Sequence, residues 1–201
     1  MKNKFPLVSV VLGVTTLVAS STVATVVNGS PWSVVRILQL RNYGAVNNAQ
    51  LADGEWCRLM TSQFVHVRPA HMLFNVTTLF LLATCVERAA GSLRLTLLWM
   101  LSGIAGTYAS IYSVPPPYDI GSGASQAVMG LAGAALIVIR RSRAYPWWLK
   151  GTLVVTLGTA AMLDLVFSYS IKPGHVVGFL VGLIMAIGII PSTVVRNYGD
   201  M

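Results

Sequence analysis

Apolar residues occur along the chain in six long runs, and shorter segments that carry most of the charges separate them. The runs cover residues 5–27, 71–86, 95–114, 124–139, 151–169 and 175–190. A helix needs about 20 mostly apolar residues to cross a bilayer, and each run is close to that length. The pattern therefore predicts an all-α membrane protein, with six transmembrane helices in a single domain over residues 1–201.

The composition excludes an ordinary soluble domain. Of the 201 residues, 55% are hydrophobic and only 10% are charged, and the mean hydropathy is +0.69. The formal net charge of +8 would also suit a nucleic-acid-binding protein. However, the Lys and Arg residues lie scattered between the apolar runs and form no single basic face, so they indicate membrane topology and argue against a nucleic-acid partner.

The first apolar run has an alternative interpretation as a cleaved signal peptide, because Lys2 and Lys4 precede it and small residues follow it. The apolar core of such peptides is usually about 7 to 15 residues long. The run over residues 5–27 is longer. We therefore expect it to be retained as the first spanning helix.

The segment of residues 28–70, between the first and second runs, is too polar to span a membrane and too apolar for a loose linker. Its charged residues, Arg36, Arg41, Asp53, Glu55, Arg58 and Arg68, alternate with apolar and aromatic ones. The sequence predicts a structured first loop that is partly embedded in the membrane.

The Lys and Arg residues also predict an orientation with both termini in the cytoplasm. In that orientation the inside positions are Lys2, Lys4, Arg88, Arg94, Arg140, Arg141, Arg143, Lys150 and Arg196. Only Arg36, Arg41, Arg58, Arg68 and Lys172 lie outside. Most of these belong to the first loop, and charges in a long loop have little weight in setting orientation.

Polar side chains are found where three of the runs begin. His71 opens the second run and Asn75 follows on the same helix face, while Ser125 opens the fourth run and His175 the sixth. Polar groups are costly in a bilayer, which makes them functional candidates. Because these three runs cross the membrane in the same direction, we expect the four side chains to share one depth near the outer leaflet.

These four residues supply the groups that acyl transfer through a covalent intermediate requires. A serine needs a histidine that accepts its proton, and an oxyanion needs hydrogen-bond donors. Ser125 follows a stretch rich in Gly and Pro at the start of a helix, where free backbone N–H groups can bind an anion. No other serine is expected to meet a histidine. The alternative is that these small residues only allow close helix packing, as Gly178 and Gly182 do after His175.

The sequence resembles the six-span bacterial form of the rhomboid intramembrane serine proteases. The matching segments are GEWCRL at 54–59, HVRPAHMLFN at 66–75, Glu87 with Gly91, GASQ at 123–126, and His175 with Gly178 and Gly182. They follow the order of the family over residues 54–182. The GxSx motif alone is weak evidence. Its combination with the spacing of His66, His71 and Asn75 and with the spacing of His175, Gly178 and Gly182 is specific.

The resemblance implies a Ser125–His175 dyad, with Ser125 as nucleophile and His175 as general base, and no required carboxylate. His71, Asn75 and the backbone N–H of Ser125 would form the oxyanion hole. Asp164, in the fifth run, is therefore left out of the site and is expected to make an internal hydrogen bond. The motif residues Glu55, Arg58, His66 and Glu87 would have structural roles. No metal or organic cofactor is implied, and Cys57 and Cys85 lie in different segments, which favours neither a disulfide framework nor a metal site.

Two positions depart from the family pattern. Gln126 stands where Gly is common, which changes how closely a substrate backbone can approach. Met129 stands where an aromatic residue often packs on the catalytic imidazole, and Met is soft and apolar enough to replace it.

The activity that the resemblance implies is cleavage of single-span or polytopic membrane proteins in or near a transmembrane segment, within the lipid bilayer of a bacterial inner membrane. One alternative is an inactive rhomboid-like protein that binds transmembrane clients, although such proteins typically lose the serine or histidine that this chain keeps. A second alternative is a small transporter, which would have ionisable groups along its whole depth or paired repeats in its two halves.

Overall fold

The computed structural model describes residues 5–142, 145–168 and 170–192. Lys2, Lys4, Arg143 and Arg196, which contribute to the predicted orientation, lie outside these ranges, as does Tyr169 at the end of the fifth run. In chain order the helices of the described part are α1 (Leu7–Asn28), α2 (Ile37–Leu40), α3 (Asn48–Ala52), α4 (Arg58–Thr61), α5 (Pro69–Ala90), α6 (Ser92–Tyr112), α7 (Ser125–Arg141), α8 (Trp147–Ser168) and α9 (Pro173–Ile189).

The six long helices of the described part, α1 and α5 to α9, coincide with the six predicted runs. The predicted all-α membrane fold is therefore confirmed. Within the same residues, α1, α5, α6 and α8 are long and apolar enough to cross a membrane. Helices α7 and α9 have 17 residues each. The six-span topology and the orientation of the termini stay predictions.

Close packing between α7 and α9 places the two ends that carry the candidate site next to each other. A Cβ on Gly178 would collide with the carbonyl oxygen of Gln126, and a Cβ on Gly182 with that of Gly130. The predicted role of these two glycines in close helix approach is thus confirmed. As a consequence, the first turn of α9 lies against the first turn of α7, which holds Ser125.

Glu87 connects three helices at the opposite end of α5. Its carboxylate accepts hydrogen bonds from the backbone N–H of Val8 at 3.1 Å and of Ser9 at 2.9 Å. It also accepts from the hydroxyls of Ser9 at 2.6 Å and Ser92 at 2.7 Å. A helix leaves its first N–H groups without partners, so this one side chain satisfies the beginning of α1 and joins it to α5 and α6.

The first loop is structured, as predicted. Between α1 and α5 it contains α2, α3, α4 and two 3₁₀ turns, Arg41–Tyr43 and Ser62–Phe64. Arg58 forms an ion pair with Glu55 and donates to the carbonyl oxygens of Arg41 at 2.9 Å and Ala45 at 3.1 Å. These bonds fix the course of the loop, and its apolar residues Val35, Leu40, Val46, Leu51, Leu59 and Val65 are buried.

Candidate active site

Ser125 and His175 are in hydrogen-bonding contact at the beginnings of two helices. Ser125 is the first residue of α7 and His175 is the third residue of α9. The Nε2 atom of His175 lies 3.0 Å from the Oγ atom of Ser125. Pro173 begins α9, where its missing N–H has no cost. Gly123, just before α7, has a φ of 95°, a backbone conformation that favours glycine.

All four residues that the sequence singled out line one cavity of about 960 Å³. Ser125 and His175 come from the first turns of α7 and α9, while His71 and Asn75 come from the first two turns of α5. Met129 lines the same cavity. The space therefore joins a serine, a histidine in contact with it and two further polar side chains, which are the kinds of group that acyl transfer requires.

The carboxylate of Asp164 binds the other nitrogen of the same imidazole. Oδ2 of Asp164 lies 2.7 Å from Nδ1 of His175, and the Asp164 side chain is 1% exposed. The expected internal hydrogen bond of Asp164 therefore exists, but its partner is the candidate base, so the residue lies inside the site from which the sequence analysis left it out. An ionisable residue within an apolar run was the available sign. That the end of α8 reaches the start of α9 could not be read from the sequence.

Gln126 contacts the candidate nucleophile in a way that the sequence did not predict. Its Oε1 atom lies 3.3 Å from Oγ of Ser125, and its Nε2 atom lies 3.4 Å from Oγ of Ser110. A serine hydroxyl has one hydrogen to donate. Oε1 of Gln126 and Nε2 of His175 are therefore alternative acceptors for it.

His66 is the polar residue that supports the site from the first loop. Its Nε2 atom accepts the backbone N–H of Ala124 at 3.2 Å and lies 3.3 Å from Nδ2 of Asn75. Its Nδ1 atom lies 2.9 Å from Oγ of Ser20, whose hydroxyl donates to the carbonyl oxygen of Phe64. Since Nε2 accepts, Nδ1 carries the hydrogen. The imidazole is neutral, because burial, together with the nearby His71, lowers the pKa of His66 to about 3.

The contact between Ser20 and His66 corrects one expectation, that no other serine meets a histidine. The contact of Ser20 with His66 differs from that of Ser125 with His175 in the direction of the hydrogen bond. The hydroxyl of Ser20 donates to a carbonyl oxygen and receives the Nδ1 hydrogen of His66. That histidine takes no proton from Ser20, and we expect Ser20 to stay unreactive.

Comparison with known proteins agrees with the fold. Residues 53–192 match the Rhomboid domain family. The chain is 34% identical over 148 residues to the rhomboid protease GluP of Bacillus subtilis (strain 168), a match that spans 72% of this chain and 28% of that relative.

Two further relatives cover a similar part of the chain. YdcA of the same bacterium is 31% identical over 140 residues, which is 69% of this chain and 70% of YdcA. Inactive rhomboid protein 2 of Homo sapiens is 28% identical over 149 residues, 72% of this chain and 17% of that protein. With the Rhomboid domain covering most of its length and the all-α bundle observed here, the chain belongs to the rhomboid family.

Proposed function

We propose that this protein is an intramembrane serine endopeptidase that cleaves transmembrane segments of other membrane proteins. The observation that carries the proposal is the 3.0 Å contact between Oγ of Ser125 and Nε2 of His175. The contact faces a cavity that His71 and Asn75 also line. Membership of a family with relatives named as proteases supports the same activity.

The first half of the reaction forms an acyl-enzyme. Oγ of Ser125 attacks the carbonyl carbon of the scissile peptide bond while Nε2 of His175 takes the hydroxyl proton. The carbonyl oxygen becomes an oxyanion, and we assign His71, Asn75 and the backbone N–H of Ser125 as its hydrogen-bond donors. When the intermediate collapses, the C–N bond breaks and His175 gives its proton to the leaving nitrogen.

The second half releases the other product. A water molecule gives a proton to Nε2 of His175 and attacks the ester carbon of the acyl-enzyme. The bond between that carbon and Oγ of Ser125 then breaks, and the proton returns to the serine. The products are a new amino terminus and a new carboxylate, and no metal or organic cofactor takes part.

The substrate we propose is a helix that becomes locally unwound. The amide groups of a spanning helix are hydrogen-bonded to each other, because lipid offers them no partners. A peptide bond can reach Ser125 only after these bonds open, so small or helix-breaking residues are expected near the cut. We further propose a multi-pass protein of a bacterial inner membrane, with both termini in the cytoplasm and with water and substrate reaching the site from the outer side.

A second candidate function is the binding of transmembrane clients without cleavage. The match to Inactive rhomboid protein 2 favours it, because sequence similarity of this extent occurs with a protein named as inactive. The contact of Gln126 with the nucleophile favours it as well, since the contact competes for the serine hydrogen. The presence of both Ser125 and His175 favours the protease.

The experiment that separates the two functions uses the purified full chain in liposomes with a panel of single-span substrates. We expect wild type to cut at least one substrate inside or beside its transmembrane segment, as sequencing of the products would show. Ser125→Ala, which keeps the fold, should cut none. Retention of substrates by wild type, with no cleavage of any, would establish client binding and contradict the protease.

A further inference from the structure

We propose that Asp164 is a positioning residue that completes a Ser125–His175–Asp164 array, and this inference rests on the proposed function. The carboxylate of Asp164 and the hydroxyl of Ser125 contact opposite nitrogens of one imidazole, at 2.7 Å and 3.0 Å. The His175 side chain is 9% exposed and that of Asp164 is 1% exposed. Little water therefore competes for either contact.

The carboxylate selects the form of the imidazole that can act as a base. An ionised carboxylate only accepts hydrogen bonds, so Nδ1 of His175 must carry the hydrogen. Nε2 then has a free lone pair directed at Oγ of Ser125. The opposite tautomer would direct the Nδ1 lone pair at the carboxylate and leave Nε2 unable to take the serine proton.

The contact between Asp164 and His175 also matters when the proton of Ser125 is transferred to His175. As Nε2 accepts the proton of Ser125, the imidazole of His175 becomes positively charged, and the carboxylate of Asp164 lies next to that charge. The hydrogen bond, which the ionised carboxylate already makes charge-assisted, thereby becomes an ion pair with a charge on both partners. The carboxylate stays ionised throughout and takes no proton itself, as for the aspartate of other serine protease triads.

The carboxylate is itself held in place by the segment that begins α9. The backbone N–H of Lys172 donates to Oδ2 of Asp164 at 3.0 Å. The ammonium of Lys172 lies 3.7 Å from Oδ1, and its side chain is 48% exposed. The backbone bond holds Oδ2 in the orientation that the Nδ1 hydrogen of His175 requires. The ammonium balances the charge of the buried carboxylate, but it is too distant for a hydrogen bond, and Oδ1 accepts none among the described residues.

Asp164 also connects α8 to the site. Over residues 157–166, toward the C-terminal end of α8, every other side chain is partly or fully exposed, and only that of Asp164 is buried. Asp164 is therefore the buried residue through which this half of α8 reaches Lys172 and His175 at the start of α9. The array is complete only while the end of α8 lies against α9.

The test is Asp164→Asn, which keeps the size of the side chain and removes its charge. We expect the rate at which a fluorophosphonate labels Ser125 in the purified full chain to fall between about 10²-fold and 10⁴-fold, the upper figure being that of a comparable substitution in another serine protease. With a substrate that wild type cuts, kcat should fall and KM should change little. Asp164→Glu, which keeps the charge, should recover part of the labelling rate.

The matched control is Asp119→Asn. Asp119 is also a buried aspartate, 2% exposed, and its Oδ2 atom accepts the backbone N–H of Asn48 at 3.1 Å. This substitution removes a buried carboxylate whose bond is to Asn48 and not to the imidazole of His175, so the labelling rate should stay close to that of wild type while thermal stability falls.

A spectroscopic measurement distinguishes a positioning role of Asp164 from a role in stability alone. In protein labelled with ¹⁵N-histidine, the His175 resonances of wild type should show the hydrogen on Nδ1, and those of Asp164→Asn should lose this single tautomer. Equal labelling rates for wild type and a folded Asp164→Asn would overturn the inference and leave the protease intact. If the variant does not fold, a wild-type His175 with its hydrogen on Nε2 would overturn the inference. A wild type that neither labels nor cuts would contradict the proposed function itself.

Discussion

The backbone N–H of Ala124 donates to Nε2 of His66, and this 3.2 Å bond connects the first loop to the residue that precedes the candidate nucleophile. The same imidazole contacts Ser20 of α1 and Asn75 of α5. The first loop, α1, the start of α5 and the residue before Ser125 therefore meet at one neutral side chain. Protonation of Nε2 would break its contacts with Ala124 and Asn75 together.

The first prediction follows from the pKa of His66, which is about 3 in the folded protein against 6.5 for a free histidine. Above pH 6.5 His66 is neutral in both the folded and the unfolded protein, and its contribution to the free energy of unfolding is fully present. As the pH falls from about 6.5 to about 3, only the unfolded state gains the proton. The free energy of unfolding should therefore fall by about 1.4 kcal/mol per pH unit in this window.

The measurement is thermal unfolding of the purified protein across that pH range. His66→Gln, which keeps an acceptor and cannot titrate, should be less stable at pH 7 but should show a shallower dependence on pH. The same slope in both proteins would remove His66 as the cause.

The second prediction concerns the oxyanion donors. Removal of one such donor typically lowers kcat by about 10²-fold to 10³-fold, so Asn75→Ala should reduce turnover by a factor in that range. Activity need not vanish, because His71 and the backbone N–H of Ser125 remain. Since Asn75 also contacts His66 at 3.3 Å, thermal stability must be measured in parallel. Unchanged turnover would exclude Asn75 from the site.

The third prediction concerns Gln126, whose Oε1 atom competes with His175 for the hydroxyl hydrogen of Ser125. Gln126→Ala removes the Oε1 atom that lies 3.3 Å from Oγ of Ser125, and His175 is left as the acceptor of the serine hydrogen. The rate of fluorophosphonate labelling should rise by up to about fivefold, the equivalent of one hydrogen bond of about 1 kcal/mol. A large loss of labelling in a protein of normal thermal stability would instead show that the Gln126 amide assists the reaction.

The fourth prediction tests the packing that brings the two helices together. Gly182→Ala places a Cβ against the backbone of Gly130, which should cost about 1 to 3 kcal/mol of stability. It should also slow the labelling of Ser125, because the start of α9 moves away from α7. Gly188→Ala is the matched control on the same helix, where a Cβ meets nothing within 4 Å. Equal behaviour of the two variants would contradict this account of the α7–α9 contact.

Local patterns were sufficient to predict the helices and to single out Ser125 and His175 as candidates. The apolar runs predicted the six long helices, because helix formation depends on neighbouring residues. The first run, for example, was expected over residues 5–27 and α1 covers Leu7–Asn28. Ser125 and His175 were each recognised from a short motif of nearby residues. The structure brings the two side chains into contact.

The contacts that could not be predicted depend on packing between distant segments. Asp164 meets His175 only because the end of α8 lies beside the start of α9. The bonds of His66 to Ser20 and Ala124 join residues that are 46 and 58 positions apart. The contact of Gln126 with Ser125 depends on a side-chain rotamer, which a sequence pattern does not specify.

The central claim is that His175 activates Ser125, and covalent labelling tests it most directly. A serine hydroxyl is a poor nucleophile unless an adjacent base accepts its proton. We expect a fluorophosphonate to modify Ser125 in the purified wild-type protein, as peptide mapping by mass spectrometry would show, and to leave Ser20 unmodified. Ser125→Ala should abolish labelling, and His175→Ala should greatly reduce it while the protein stays folded. An unlabelled Ser125 in folded wild type, or undiminished labelling of Ser125 in His175→Ala, would contradict the claim.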